Sequence, residues 1–313
     1  MVEGRLQLFT GNANPRLAQA IASILETPLG RAEVGAFSDS ETRVRLEENV
    51  RGSDVFVIQP LCAPVNQHIM ELLIMLDAVR RASAARITAV IPYYAYARQE
   101  KKTAGREPIS AKLLANLLTT AGADRILTVD LHAPAIEGFF DIPVDHLRAT
   151  PILAAHARRL GLERLVVVSP DTGAVARAEE FRRRVGGGLA IISKQRPSPE
   201  MAEMHEMVGE VEGRDVIIVD DIIASGGTLL KAIELLQARG VRHIFAAAIH
   251  GVFSGDALRR IAESPIERVF VTDTIPLPDN GPVDKIEVLT VAPLLAEAIM
   301  RIHKDLSISA LFT

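Results

Sequence analysis

The sequence is short of the features that mark several large classes of protein. It holds one cysteine, Cys62, in 313 residues. A single thiol forms no internal disulfide and no Cys/His metal finger. Cys62 stands near the end of an apolar run and reads as a small buried hydrophobe, not a nucleophile. No apolar run approaches the roughly 18 residues of a membrane span. The opening MVEGRLQLFTGN lacks the basic and apolar regions of a signal peptide. Together these absences make the expected location cytoplasmic, with no membrane partner. Positive charge is not in excess either: 35 Lys+Arg against 39 Asp+Glu leave a net charge of −4. That gives no global reason for a nucleic-acid partner, so any cations that bind phosphate must be gathered locally. There is also no G-x-x-x-x-G-K-[ST] loop, which excludes a Walker-type site.

What is present is ordinary globular material, 48% hydrophobic and 24% charged. The length exceeds one comfortable core and suits two domains. Strand-like runs at 6–9, 55–59, 87–92, 126–130, 165–170, 189–193, 216–221, 244–249 and 269–273 alternate with helix-like stretches such as NQHIMELLIMLDAVRRA and ISAKLLANLLTTAGA. Continuous Val/Ile runs predict strands covered on both faces, and the alternation predicts parallel α/β sheets. No low-complexity linker divides the chain. The boundary is expected near LRATPILAA (147–155), where a proline meets a new helical pattern. In open parallel sheets ligands bind beyond the carboxyl ends of strands, and the unusual residues of this chain lie at those ends.

VDDIIASGGT (219–228) is the most informative of them. Asp220 and Asp221 end an apolar run, Ser225 and Thr228 flank Gly226 and Gly227, and a helical pattern follows. Backbone N–H groups of a glycine loop and a fresh helix N-terminus make an anion cradle. The carboxylates can accept hydrogen bonds from ribose hydroxyls or hold Mg²⁺. A capped helix start explains Ser225 and the glycines but leaves two adjacent acids over. The combination points to a phosphorylated ligand that carries hydroxyls.

Other stretches say less alone. RQEKKTAGREPIS (98–110) gathers Arg98, Lys101, Lys102 and Arg106, and reads as a solvated loop unless a phosphate is there. DLHAP (130–134) sets His132 just past a strand with Asp130 beside it, a place where a lone histidine is more often structural. SPDTGAVAR (169–177) has Asp171 at a strand end and small residues opening a helix. KQRPSPEMAEMHE (194–206), with Lys194 and Arg196, is either plain surface or a mobile lid. FSDSETRVRLEENVRG (37–52) reads as an irregular loop followed by an edge strand or hairpin.

Taken in order, FSDSE, PYYAYARQEKK, DLHAPAIEGFF, SPDTG, KQRP, VDDIIASGGT and VAPLLAEAI…SISALF resemble the ribose-phosphate diphosphokinase family, the synthetases of phosphoribosyl diphosphate (PRPP). The resemblance covers essentially the whole chain. It implies an α/β fold of two phosphoribosyltransferase-like domains, each a mostly parallel sheet flanked by helices. These would be 1–148, on the ATP side and at the oligomer contacts, and 149–313, with the ribose 5-phosphate loop and the catalytic loop. The extreme C-terminal tail would pack back on the first. The implied reaction moves the β,γ-diphosphoryl group of ATP to the 1-hydroxyl of ribose 5-phosphate, giving PRPP and AMP. Mg²⁺ is the implied cofactor, and homo-oligomers, often hexamers, the implied assembly.

Carried over by residue, the resemblance implies ribose-hydroxyl contacts for Asp220 and Asp221, and 5-phosphate contacts for Ser225, Gly226, Gly227 and Thr228. Phe37, Asp39 and Glu41 match a nucleotide loop contributed by a neighbouring subunit, and Arg98 and Gln99 match further ATP contacts. His132 and Asp171 match the metal-linked positions, with Asp130 alongside. His132, Lys194 and Arg196 are the implied catalytic residues. Ser307, Ser309 and Phe312, with Arg51 from a neighbouring subunit, match an allosteric anion site that in some members responds to phosphate and ADP. The chain also departs from the pattern. Ala224 stands where many members have aspartate, Asn49 where a serine is common, and Thr172 and Ala174 follow SPD where other residues are usual; Ala174 adds a Cβ where backbone approach matters. Two rival readings remain beside the synthetase. A PRPP-consuming phosphoribosyltransferase shares the loop logic but needs neither RQEKK nor two α/β halves. A regulatory homologue without turnover fits Ala224 but not the retained Lys194 and Arg196.

Overall fold

The computed structural model describes residues 4–195, 204–279 and 281–311. The chain folds into two units. One takes residues up to Arg148, then Thr274–Pro276, then the chain from Thr290; the other takes Ala149–Asp273 and Leu277–Leu289.

The first unit contains β1 (Leu6–Thr10), α1 (Pro15–Ile24), β2 (Ala32–Ala36), β3 (Thr42–Leu46), β4 (Asp54–Ile58), α2 (Val65–Arg81), β5 (Arg86–Ile91), α3 (Ser110–Ala121), β6 (Arg125–Val129), a 3-10 turn at Pro134–Phe139 and β7 (Val144–Leu147). Its sheet has the order β1-β4-β5-β6-β7 and every pairing is parallel. β4 (DVFVI) is buried at every position, as a central strand under helices on both faces must be. α1 begins at Asn14, whose side-chain oxygen accepts the Leu17 N–H at 3.2 Å, and Pro15 supplies a preset first turn. β2 and β3 form a separate antiparallel ribbon that carries residues 37–41 at its tip.

The second unit contains α4 (Thr150–Arg159), β8 (Val166–Ser169), α5 (Val175–Val185), β9 (Gly188–Gln195), β10 (Met204–Val208), β11 (Asp215–Ile223), α6 (Gly227–Ala238), β12 (His243–Gly251), α7 (Ala257–Glu263), β13 (Arg268–Thr272) and β14 (Ile286–Leu289). The sheet order is β10-β9-β8-β11-β12-β13-β14, parallel except for the β9–β10 pair. Val166, Val168, Val216, Ile218, Leu236 and Val269 lie at the centre of its core. Both sheets are thus of the expected mostly parallel kind.

α8 (Ala292–His303) then returns the chain to the first unit, where it packs on α1. Its junction includes an ionic cluster built around the buried Asp54. Arg86 grips Asp54 through two hydrogen bonds of 2.8 and 2.7 Å, and also donates to the Ile302 carbonyl at 2.7 Å and to Asp305 at 3.0 Å. His303 adds Nδ1 to the same Asp54 carboxylate at 2.9 Å.

Candidate functional site

In the second unit the acid pair lies inside β11, two to three residues before the strand ends at Ile223. Asp221 is buried and Asp220 half-buried. The Asp221 N–H donates to Asp220 Oδ1 at 2.8 Å. Arg177, in the first turn of α5, brings one guanidinium to both acids: Nη1 is 3.6 Å from Asp220 Oδ1 and 3.3 Å from Asp221 Oδ1. Burial, and then the neighbouring Asp221 carboxylate, push the Asp220 carboxyl up to about 7; Arg177 opposes them but does not cancel them. A carboxyl poised this way gains from any ligand that brings hydroxyl donors or a cation.

Gly226 then takes a left-handed φ of 74° and starts α6. That conformation costs glycine little and a β-carbon residue much more. The turn aims the free N–H groups of α6 at the loop, where Ser225 and Thr228 stand exposed. A cavity of about 240 Å³ opens there, lined by Pro170, Ile192, Ser225, Gly227, Thr228 and Lys231. Arg177 and Lys231 had no role in the reading of the sequence. Lys231 could have been found, since it follows Thr228 by three residues, the spacing of neighbours on a helix. Arg177 carries no such signal until α5 is laid on β11.

Asp171 uses Oδ1 to accept the Ala174 N–H at 2.9 Å, and its own carbonyl accepts from Ser169 Oγ at 2.7 Å. It therefore fixes the turn that leads from β8 into α5, whose first residue is Val175. Ala174 has φ −88°, an ordinary conformation, so its β-carbon is tolerated there. Lys194 falls in β9, where it pairs with His205 across the β9–β10 ladder. Arg196 and Phe312 lie outside the described residues.

In the first unit, Asp130 and His132 leave the carboxyl end of β6. Asp130 is 5% exposed, with Arg148 Nη1 at 3.6 Å, and His132 is exposed. Arg98 and Gln99 stand exposed after β5, the Gln99 carbonyl accepting the Ala111 N–H at 3.3 Å. Phe37, Asp39 and Glu41 form the exposed tip of the β2–β3 ribbon. Asp39 accepts the Glu41 N–H at 3.1 Å, and the Arg43 guanidinium lies 5.8 Å over the Phe37 ring. Arg51 is in an exposed turn whose N–H bonds Asn49 Oδ1 at 3.0 Å. Ser307 accepts from Arg301 at 2.9 Å through its carbonyl and from the Ser309 N–H at 3.2 Å through its hydroxyl. Among the described residues no cluster of three or more His, Cys, Asp or Glu side chains is arranged to hold a metal ion, and no helix is long and apolar enough to cross a membrane.

Comparison with known proteins agrees at three levels. Residues 6–122 match the family model of the N-terminal domain of ribose phosphate pyrophosphokinase, and residues 191–313 match that of the phosphoribosyl synthetase-associated domain. The ribose-phosphate pyrophosphokinase of Caldanaerobacter subterraneus subsp. tengcongensis is 56% identical over 310 residues, covering 98% of each chain. That of Ralstonia nicotianae is 52% identical over 309 residues, again covering 98% of each. Among solved structures, phosphoribosylpyrophosphate synthetase from Mycobacterium smegmatis superposes with a TM-score of 0.92 at 45% identity, covering 96% of this chain and 99% of that one.

Proposed function

The chain belongs to the ribose-phosphate pyrophosphokinase family, and we propose on that premise how its residues divide the work. It is an enzyme that moves the β,γ-diphosphoryl group of ATP to the 1-hydroxyl of ribose 5-phosphate. The hydroxyl oxygen attacks the β-phosphorus, the bond from that phosphorus to the α–β bridging oxygen breaks, and AMP leaves with that oxygen. The hydroxyl proton is lost to solvent or to a base.

The observation that carries this division is the acid pair under Arg177, opening onto Gly226 and the α6 N-terminus. Asp220 and Asp221 take the ribose hydroxyls. The N–H groups of Gly226, Gly227 and Thr228, with the Ser225 and Thr228 hydroxyls, take the 5-phosphate. Ala224 removes one acceptor relative to many members, and Asp220 with Asp221 carries its share. The first unit takes ATP through Arg98 and Gln99, with Phe37, Asp39 and Glu41 supplied by a neighbouring copy in a homo-oligomer, of which a hexamer is the form we propose. Lys194 and Arg196 neutralise charge on the transferring group.

The metal we propose is Mg²⁺; Asp130 and His132 on the first unit, and Asp171 on the second, are its candidate residues unit by unit, since the described residues gather no ready cluster of three. The donor chemistry fits: two carboxylates give the hard oxygens that Mg²⁺ prefers, and His132 is suited to act through a bound water. Such an ion would offset phosphate charge. Ser307, Ser309 and Phe312, with Arg51 of a neighbouring copy, form an anion site through which phosphate activates.

The test is purified protein with ATP, ribose 5-phosphate and Mg²⁺, following AMP and PRPP with and without inorganic phosphate. Equal amounts of both products, each requiring ribose 5-phosphate, are expected. No AMP from a folded protein would favour the regulatory homologue and sink the reading; a rate blind to phosphate would remove the anion site. In the same assay Lys194→Ala should lower kcat by roughly 100-fold or more while changing the KM for ATP far less. An unchanged kcat removes Lys194 from the chemistry.

A further inference from the structure

The segment that presents His132 has no helix or strand of its own. It leaves β6 at Asp130, which holds φ +40°, a left-handed conformation that strains a residue with a β-carbon. Such a conformation persists only where the surroundings fix it. Here the end of β7 and the residue after it supply the surroundings in three successive residues. The Leu147 carbonyl accepts the Asp130 N–H at 3.0 Å. Arg148 lies 3.6 Å from the Asp130 carboxylate. His146 Nε2 accepts the Leu131 N–H at 2.7 Å, in a place where Leu131 is 3% and His146 6% exposed.

The last contact fixes a tautomer. A backbone N–H can only donate, so Nε2 carries no proton and the proton sits on Nδ1. Nδ1 in turn donates to Glu137, on the 3-10 turn that links His132 to β7. Burial, and then the Arg148 guanidinium, lower the His146 pKa; Glu137 works the other way. The imidazole is therefore held neutral, as the contact requires. A protonated ring would set two donors against each other at Leu131.

We propose that His146, oriented by Glu137, is a positioning residue for His132: it holds the strained exit of β6 through the Leu131 N–H, one residue before the side chain that faces the substrates. This rests on His132 being a working residue, as proposed above. A histidine that merely fills the core would need no particular acceptor at Nε2. This one has a donor on one side and an acceptor on the other, and the donor is the peptide next to His132.

Three variants test it. His146→Phe keeps a ring and removes the acceptor. His146→Gln returns an amide oxygen near the position of Nε2. Glu137→Met, at a site whose side chain is 43% exposed, frees the tautomer with little change of core volume. Hydrogen exchange at the Leu131 amide, kcat and the KM values for both substrates are measured in each. Exchange at Leu131 should be fast in H146F and slow again in H146Q. The kcat of H146F should fall about tenfold with both KM values within about twofold, and H146Q should recover most of it. If H146F does not fold, E137M carries the test, with the same split and a loss of about threefold. Fast exchange with unchanged kcat overturns the proposal, as does unchanged exchange in a folded H146F. A wild-type protein that makes no AMP sinks the proposed function instead, and the exchange result still decides whether His146 holds the segment.

Discussion

Asp220 shows how one carboxyl connects stability to function. In the folded chain it keeps its proton up to about pH 7, because burial and Asp221 disfavour its charge. In the unfolded chain it ionises near pH 4, roughly the value of a free aspartate. Between those limits the folded state binds up to one proton more. Stability must therefore fall as pH rises through the window, by up to ~1.4 kcal/mol per unit. Asp220→Asn titrates no proton there and lacks the slope. Without substrates, denaturation from about pH 4 to 8 should show D220N gaining on the wild type as pH rises; parallel profiles would contradict the shift. Arg177 is the cation that opposes the rise. Replacing it with methionine should push Asp220 higher still and raise the KM for ribose 5-phosphate about tenfold with a smaller effect on kcat. A normal KM in R177M would leave Arg177 a role in packing alone.

At the scale of elements, the sequence was legible where physics leaves one choice. The inner strands are continuous apolar runs because both faces are covered, and β4, β5, β8 and β11 stand where the runs predict them. The strands missed are β7 (VDHL), β10 (MHEMV) and β14 (IEVL), all at sheet edges, together with β2 (AEVGA) in the ribbon. An edge strand has one neighbour and can carry polar residues, so its composition loses the signal. The same logic hid His146. In DIPVDHL it reads as one more polar residue, and only the pairing of β7 with β6 brings it under Leu131. The acids and glycines of the β11–α6 loop were readable because they are contiguous, whereas their cation comes from another helix. The Asp54–Arg86–His303 cluster was likewise hidden, since its members are far apart in the chain. Asp54 is fully buried and Arg86 is 15% exposed at the side chain. Removing one partner of such a pair strands the other, at a cost of about 3–5 kcal/mol. Urea unfolding of Asp54→Ala should show that loss. A change below about 1 kcal/mol would mean the cluster behaves like a surface ion pair.

For the whole molecule, the path of the chain matters more than its midpoint. A cut after Arg148 looks natural from the sequence, because the proline-led helix α4 begins a new pattern there. Yet the first unit takes residues from Thr290 onward as its own. α8 buries Leu295, Ile299 and Ile302 there, beside Ala292, Ala296 and Ala298. Three large side chains at roughly 1.5–3 kcal/mol each come to about 5–9 kcal/mol, as much as the whole stability of many domains. The buried Asp54 carboxylate also loses His303 without α8, and Arg86 loses Asp305 and the Ile302 carbonyl. A fragment of residues 1–148 should therefore fail to fold cooperatively, although it holds every strand of its sheet. A peptide of residues 290–313 added in trans should restore a cooperative thermal transition, with a midpoint that rises with peptide concentration as linkage requires. The same peptide carrying Leu295→Asp and Ile299→Asp should restore nothing, since charge on the buried face cannot be accommodated. A fragment that melts cooperatively alone, with a midpoint indifferent to the peptide, would show that α8 is an accessory to the first unit and not part of its core.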